Sequence, residues 1–374
     1  MRHHMPTRVV FGRRALSKLR DEIDFLKLDT SRTAIICGSS AVSHGYVKSI
    51  SEQISGEVSL FCSVEPDPTI ENALRVLEEV RGFSPTLIVA VGGGSPLDVA
   101  KAVSVMLTNS GDIRQFIGVP EAFENSGIPV VAVPTTAGSG SEVTPYAVLT
   151  DRKNLKKAPL ISRYLFPVLA IDDPELTVSM PQTVTANTGV DALTHALEAF
   201  LSKRATPVSR LYSLESVRLL LGYLPRAFGN PKDLSARERV MMGSLLGGMA
   251  ITDAGAGLVH TLAHVLGVLY RVPHGLANGI FLIPVLEFYG LSIREQLEEL
   301  SAYLNLSGGA EGFLDSLREL LSFLGIPEKA SAVGLKKDDF TLFISLVMEK
   351  KFLMGNLPRI PTERDIRSIL KTLV

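Results

Sequence analysis

One carboxylate and several histidines in the second half of the chain have the types and spacing of a metal site. Asp191 and His195 stand four apart in Gly189-Val190-Asp191-Ala192-Leu193-Thr194-His195, and His260 and His264 stand four apart in Val259-His260-Thr261-Leu262-Ala263-His264. On a helix, four-residue spacing stacks two side chains on one face. His274 follows Pro273 and precedes Gly275, which suits a helix end or turn. The neighbours are Val, Leu, Ala and Gly, so these polar groups are expected to face inward. A lone buried carboxylate is costly. A single buried histidine is more often a hydrogen-bonded core residue than a ligand, but three or four beside a buried Asp are better accounted for by a cation. Carboxylate and imidazole suit Fe²⁺, Zn²⁺, Ni²⁺ or Co²⁺. The set has no thiolate, which excludes a zinc-finger type of site. Four protein ligands could close a tetrahedron, whereas a larger shell leaves room for a substrate oxygen, so the ligand count alone does not establish catalysis.

A second kind of chemistry is written in glycine. The apolar run Leu87–Val91 is followed by Gly92-Gly93-Gly94-Ser95-Pro96-Leu97-Asp98. Ser95 suits a helix N-cap, Pro96 the first helical position, and Asp98 the place of a capping acid. Three glycines clear side chains from the backbone, and the helix N-terminus offers N–H groups and a positive dipole end to an anion such as pyrophosphate. The bland alternative is a tight strand-to-helix turn, and the GxGxxG fingerprint is absent. Another small-residue loop, Pro134-Thr135-Thr136-Ala137-Gly138-Ser139-Gly140-Ser141-Glu142, follows the run Val130–Val133. Two such loops after two strands of one sheet would share that sheet's ligand-binding edge.

The elements that position these residues differ between the halves. In the first, apolar runs at Thr33–Cys37, Val58–Phe61, Leu87–Val91, Val130–Val133 and Val168–Ile171 alternate with helical stretches at Thr69–Val80 and Asp98–Leu107. Continuous apolar strands separated by helices imply a doubly wound parallel sheet covered on both faces. From about Pro181, helical periodicity takes over: Val190–Leu201, Val208–Leu220, Ala236–Asp253, Leu258–Leu269, Asn278–Phe288, Ile293–Leu304 and Glu311–Leu324. The expected organisation is an α/β Rossmann-like domain over residues 1–178 and an all-α domain over 179–374, with Pro174 and Pro181 in the boundary region.

Composition narrows the field. Lys+Arg and Asp+Glu total 38 and 39, so there is no electrostatic argument for nucleic acid or an anionic membrane. No stretch reaches the ~18 continuous apolar residues of a membrane span, and the start, Met1-Arg2-His3-His4-Met5-Pro6, lacks the apolar core of a secretory signal. His3 and His4 are expected in a mobile terminus, and His44 falls in the first strand–helix unit. Cys37 and Cys62 form no CxxC pair and read as reduced core residues of a cytoplasmic protein.

At these motifs the chain resembles the iron-containing, or group III, alcohol dehydrogenase family. The resemblance runs from Pro6-Thr7-Arg8-Val9-Val10-Phe11-Gly12 to Asn356-Leu357-Pro358-Arg359, through the two small-residue loops, Gly189 to Glu198, and Gly257 to Gly275. It implies an N-terminal Rossmann-like domain, a helical domain and a cleft between them. It also implies metal ligands at Asp191, His195, His260 and His274, with iron expected and zinc acceptable to the same groups. Pyrophosphate contacts fall on Gly93, Gly94 and Ser95, with Asp98 in the same motif. Further cofactor contacts fall on Thr135, Thr136, Ser139, Thr144, Lys157 and Leu176. His264 becomes the non-ligand histidine, a candidate catalytic proton carrier or an orienting partner of a ligand. Two positions depart from the family: Asp67 and Asp253 stand where asparagine is common, Asp67 in the adenosine-binding region.

The resemblance implies reversible hydride transfer between a small primary alcohol or diol and a nicotinamide cofactor, in an enzyme that is a dimer in many relatives. Members that prefer NAD tend to carry an acid after the first strand. Gly38, Ser39 and Ser40 stand there instead and leave space and hydroxyls for a 2′-phosphate, so NADP(H) is expected over NAD(H). The alternatives are a metal- and NAD-dependent lyase like 3-dehydroquinate synthase, a metal-dependent hydrolase, and a non-catalytic binding protein. The first would need basic residues around the metal, and only Arg271 is near; the second leaves the glycine loops without a use.

Overall fold

The computed structural model describes residues 3–350 and 354–374. These divide into two compact units, Met5–Met180 and the chain from Pro181 onward, which also holds His3 and His4.

The first unit is built on a six-stranded sheet in the order β1-β8-β5-β4-β2-β3. Its strands are β1 (Arg8–Phe11), β2 (Arg32–Cys37), β3 (Glu57–Phe61), β4 (Leu87–Gly92), β5 (Val130–Pro134) and β8 (Leu169–Asp172). All of its pairings are parallel. Helices α1 (Leu19–Phe25), α2 (Ser39–Ser43), α3 (Tyr46–Ser51), α4 (Ile70–Phe83) and α5 (Gly94–Met106) accompany it. The central strands β4 and β5 carry no polar side chain because alternate residues feed two cores. Ala34, Ile36, Ile88, Ala90 and Ala132 enter one, with residues of α4 and α5. Ile35, Cys37, Val89, Val91, Val131 and Val133 enter the other, with residues of α1 and α3; Cys62, expected in the core, lies just past the end of β3 and is exposed. From β2 the chain turns outward to β3 and then returns to β4 on the other side, so a topological switch point lies between β2 and β4.

Two features were not read from the sequence. The edge strand β1 is short and begins on an exposed arginine. The antiparallel hairpin of β6 (Tyr146–Asp151) and β7 (Lys156–Ile161) mixes charged, apolar and proline residues, which hides its alternation.

The second unit is helical: α6 (Gln182–Leu201), α7 (Pro207–Gly229), α8 (Leu234–Ala254), α9 (Leu258–Tyr270), α10 (His274–Tyr289), α11 (Arg294–Tyr303), α12 (Gly309–Phe323) and α13 (Phe340–Met348), then a last helix Glu363–Thr372. The final two were not anticipated. Left-handed Arg271 (φ 57°) ends α9, Pro273 caps α10, and His274 is the first helical residue. That helix therefore starts four residues before the expected Asn278. The run His274–Tyr303 is long and apolar enough to cross a membrane, but 56% of its apolar window is buried within this unit. His3, expected to be mobile, is tied down: its Nδ1 lies 2.8 Å from Oδ2 of Asp253 and its ring 5.9 Å from that of Tyr212.

Candidate functional site

In the first unit the two small-residue loops lie side by side. Gly92 and Pro134 are register partners at the ends of β4 and β5, and the N–H of Thr135 donates to the Gly92 carbonyl at 2.9 Å. A Cβ on Gly93 would come within 3.1 Å of Thr136 Oγ1, and one on Gly94 within 3.1 Å of Ser139. The glycines are therefore what lets these loops approach each other. The helix after the first loop begins at Gly94, one residue before the expected cap Ser95. Gly93 is its N-cap and no side chain caps it, which leaves first-turn N–H groups for an anion. Ser95 Oγ instead accepts from the N–H of Asp67 at 3.3 Å.

Asp98 does not cap α5 either. Its Oδ1 accepts from Ser141 Oγ at 2.6 Å and its Oδ2 from the N–H of Val148 at 3.0 Å. One turn on, the fully buried Lys101 donates to the carbonyls of Ser141 (2.8 Å) and Thr144 (3.1 Å) and to their hydroxyls. Burial pulls the Lys101 ammonium down to about 8 against the opposing pull of Asp98 and Glu142. Burial pushes Glu142 up to about 7. This clamp, which sequence reasoning missed, holds the turn carrying Thr144. Its only sequence signal was the three-residue spacing of Asp98 and Lys101.

The hairpin delivers Lys157. Thr150 and Lys157 are register partners, and both contact Asp67, which sits in left-handed backbone (φ 52°). Leu176 is buried in a short turn after β8, and its carbonyl accepts from Tyr46 Oη at 3.1 Å. Gly38 caps a short helix that starts at Ser39, so the expected Gly38-Ser39-Ser40 turn is a helix start. Lys48, the nearest downstream cation, lies 3.9 Å from Glu52.

In the second unit, α6 presents Asp191, His195 and Glu198 at helical spacing on one face. A Cβ on Gly275 would overlap the Asn187 carbonyl at 1.8 Å, so only glycine lets the first turn of α10 pack this closely on α6. Around Oδ1 of Asp191 stand Nε2 of His274 at 3.4 Å, of His260 at 3.7 Å and of His195 at 3.8 Å. Donor atoms of Asp191, His195 and His260 all lie within 4.8 Å of one another. Three imidazole nitrogens converging on one buried carboxylate oxygen is a donor set that fits a borderline divalent cation. Burial would raise the Asp191 carboxyl, yet His195, His274 and His260 hold it well below the usual carboxylate range. Asn278, one turn beyond His274, donates to Asp191 Oδ1 at 2.8 Å. The spacing of four from His274 was its signal.

His264 lies one turn beyond His260. Its ring is 5.2 Å from that of His274 and 6.2 Å from that of His260; neither His264 nor His274 is among the three residues whose donor atoms lie within 4.8 Å of one another. Glu198 accepts from His260 Nδ1 at 2.6 Å.

Comparison with known proteins decides the family. A family model for iron-containing alcohol dehydrogenase matches residues 6–174, and that family's C-terminal model matches 185–374. The chain belongs to the iron-containing alcohol dehydrogenase family. It is 32% identical to the NAD-dependent methanol dehydrogenase of Bacillus methanolicus over 98% of both chains. It is 30% identical to the NADPH-dependent butanol dehydrogenase of Clostridium saccharobutylicum over 99% of this chain and 97% of that one. A crystal structure of 1,3-propanediol oxidoreductase superposes with a TM-score of 0.93 at 32% identity, covering 100% of this chain and 99% of that one. The relatives support the expected activity, oxidoreduction at a CH–OH group with a nicotinamide cofactor, over the lyase alternative.

Proposed function

We propose that this enzyme interconverts a small primary alcohol or diol and its aldehyde, with one divalent metal held by Asp191, His195, His260 and His274. The observation that carries the reading is the convergence of three imidazole nitrogens within 3.8 Å of Asp191 Oδ1. These four residues would hold Fe²⁺, or Zn²⁺ in its place, which would supply Lewis acidity toward the alcohol oxygen.

The remaining work belongs to the chain. Gly93, Gly94, Ser95 and the uncapped start of α5 receive the pyrophosphate. Thr135, Thr136 and Ser139 contact the dinucleotide from the neighbouring loop, with Thr144, Lys157 and Leu176 as further contacts. Asp98 acts by fixing Ser141 and thereby the turn to Thr144. Asp67 orients Lys157. His264 moves the proton from the alcohol or steadies the ring of a ligand.

NADP(H) is preferred over NAD(H), because no carboxylate stands at Gly38-Ser39-Ser40 to repel a 2′-phosphate. Names of relatives include both cofactors, so this rests on those three residues. Relatives named for methanol, butanol and 1,3-propanediol support short alcohols as substrates. The enzyme works in the cytoplasm, with Cys37 and Cys62 reduced, and as a homodimer.

Anaerobic reconstitution with Fe²⁺ or Zn²⁺, followed by an alcohol and aldehyde panel with each dinucleotide, tests the reading. Metal-dependent absorbance change at the nicotinamide band is expected. Turnover unaffected by metal removal would contradict it, and a strong NAD preference would contradict the cofactor assignment.

A further inference from the structure

Glu198 is buried, 6% exposed, on the metal-facing side of α6, yet it is not one of the four proposed ligands. Its carboxylate accepts three short hydrogen bonds: from the N–H of Gly257 at 2.7 Å, from the N–H of Val259 at 2.6 Å and from Nδ1 of His260 at 2.6 Å. The first two come from the start of α9, where Gly257 is the N-cap and offers no side-chain acceptor. Glu198 therefore does from another helix what a capping side chain does locally. The approach needs a glycine: a Cβ on Gly257 would come within 2.7 Å of Glu198 Oε1.

The third bond has a different consequence. An ionised carboxylate only accepts, so the proton it shares with His260 belongs to Nδ1. In the neutral imidazole that leaves the lone pair on Nε2, the atom 3.7 Å from Asp191 Oδ1 and 3.4 Å from the amide nitrogen of Asn278, where a cation can take it up. We infer that Glu198 is a positioning residue of the metal centre, which fixes the tautomer and ring orientation of His260 through the carboxylate that also caps α9. This rests on His260 being a ligand. A hydrogen-bonded partner on the far nitrogen raises ligand basicity and typically contributes 10–100-fold to metal affinity.

Glu198→Gln perturbs both roles. With its amide N–H in the place of Oε2, glutamine would donate to Nδ1, move the imidazole proton to Nε2 and remove the lone pair; its one oxygen still accepts from Val259, while the cap bond to Gly257 is lost. The measurement is the Co²⁺ dissociation constant of the full chain by chelator competition, for wild type, Glu198→Gln, His260→Ala and the double variant. Melting of the metal-free proteins reports the cap. Glu198→Gln is expected to weaken Co²⁺ binding by about 10–100-fold, and to add little in the His260→Ala background. If His260→Ala leaves Co²⁺ affinity unchanged, the ligand reading fails. If His260→Ala weakens binding but Glu198→Gln lowers only the melting temperature, Glu198 is a cap and the inference is overturned. Additive effects would overturn it as well, since Glu198 would then not act through His260. Should Glu198→Gln not melt cooperatively, Glu198→Asp, which keeps the charge and loses one methylene of reach, carries the same expectations.

Discussion

The ammonium of Lys101 donates to the carbonyl of Ser141 at 2.8 Å and is wholly buried against the turn that follows the second small-residue loop. Its ordinary value is lowered to about 8, chiefly by burial. Below pH 8 the charged amine holds the turn; as pH rises through 8 that hold weakens. Dinucleotide binding, followed by the fluorescence of the reduced cofactor, is therefore expected to weaken between pH 7 and 9. Stability should move the other way. Between about 8 and the ordinary lysine value near ~10.4 the unfolded chain binds more protons than the folded one, so folding is favoured by rising pH. Opposite trends in affinity and melting temperature are the expected signature, whereas a parallel decline would mean the protein is simply unfolding.

Asp172 ends β8 fully buried, and neither carboxylate oxygen has a hydrogen-bond partner among the described residues. Burial, with the nearby charge of Glu142, pushes its carboxyl well above the ordinary value. The folded chain keeps this proton at a pH where the unfolded chain has lost it, so Asp172 costs stability as pH rises above about 4. Asp172→Asn removes that cost. It is expected to raise the melting temperature more at pH 8 than at pH 5, by about 2–4 °C for each kcal/mol regained. An equal effect at both pH values would show that Asp172 is ionised in the folded state.

His264 stands beside the proposed ligands without joining the donor set. His264→Asn should slow turnover, by as much as ~10²-fold if it carries the proton, while metal content stays at the wild-type level. Metal loss in this variant, measured by elemental analysis, would instead make His264 part of the scaffold of the site.

Gly38 caps α2 with extended backbone, and a Cβ there would meet only Val64 O at 3.8 Å. Gly38→Asp therefore fits sterically and places a favoured capping residue. Its charge should raise KM for NADP relative to NAD by roughly tenfold, the effect of a like-charge contact of ~1 kcal/mol or slightly more. An unchanged ratio would place the 2′-phosphate away from this turn.

Much of this architecture was legible because it depends on local pattern. Apolar runs such as Leu87–Val91 announce strands buried on two faces, and Asp191 with His195 announces one helical face. Which histidines approach Asp191 was not legible from spacing: His260/His264 has the same spacing as Asp191/His195, and the structure puts Nε2 of His260 3.7 Å from Asp191 Oδ1. The roles of Glu198 and Lys101 were also hidden. Each acts on backbone far along the chain, α9 for Glu198 and the Ser141–Thr144 turn for Lys101. The helix start at Gly94 was misplaced by two residues because Ser95 has the chemistry of a cap while Gly93 takes its place.

The central claim is that one cation held by Asp191, His195, His260 and His274 is required for hydride transfer. The most direct measurement titrates Fe²⁺ anaerobically into the metal-free enzyme and into Asp191→Ala, with metal bound per chain and the rate at the nicotinamide band read on the same samples. The prediction is that wild-type activity rises in step with metal and saturates at one ion per chain, while Asp191→Ala binds weakly and stays inactive despite a wild-type melting profile. Full activity at negligible metal occupancy, or an active Asp191→Ala, would contradict the account.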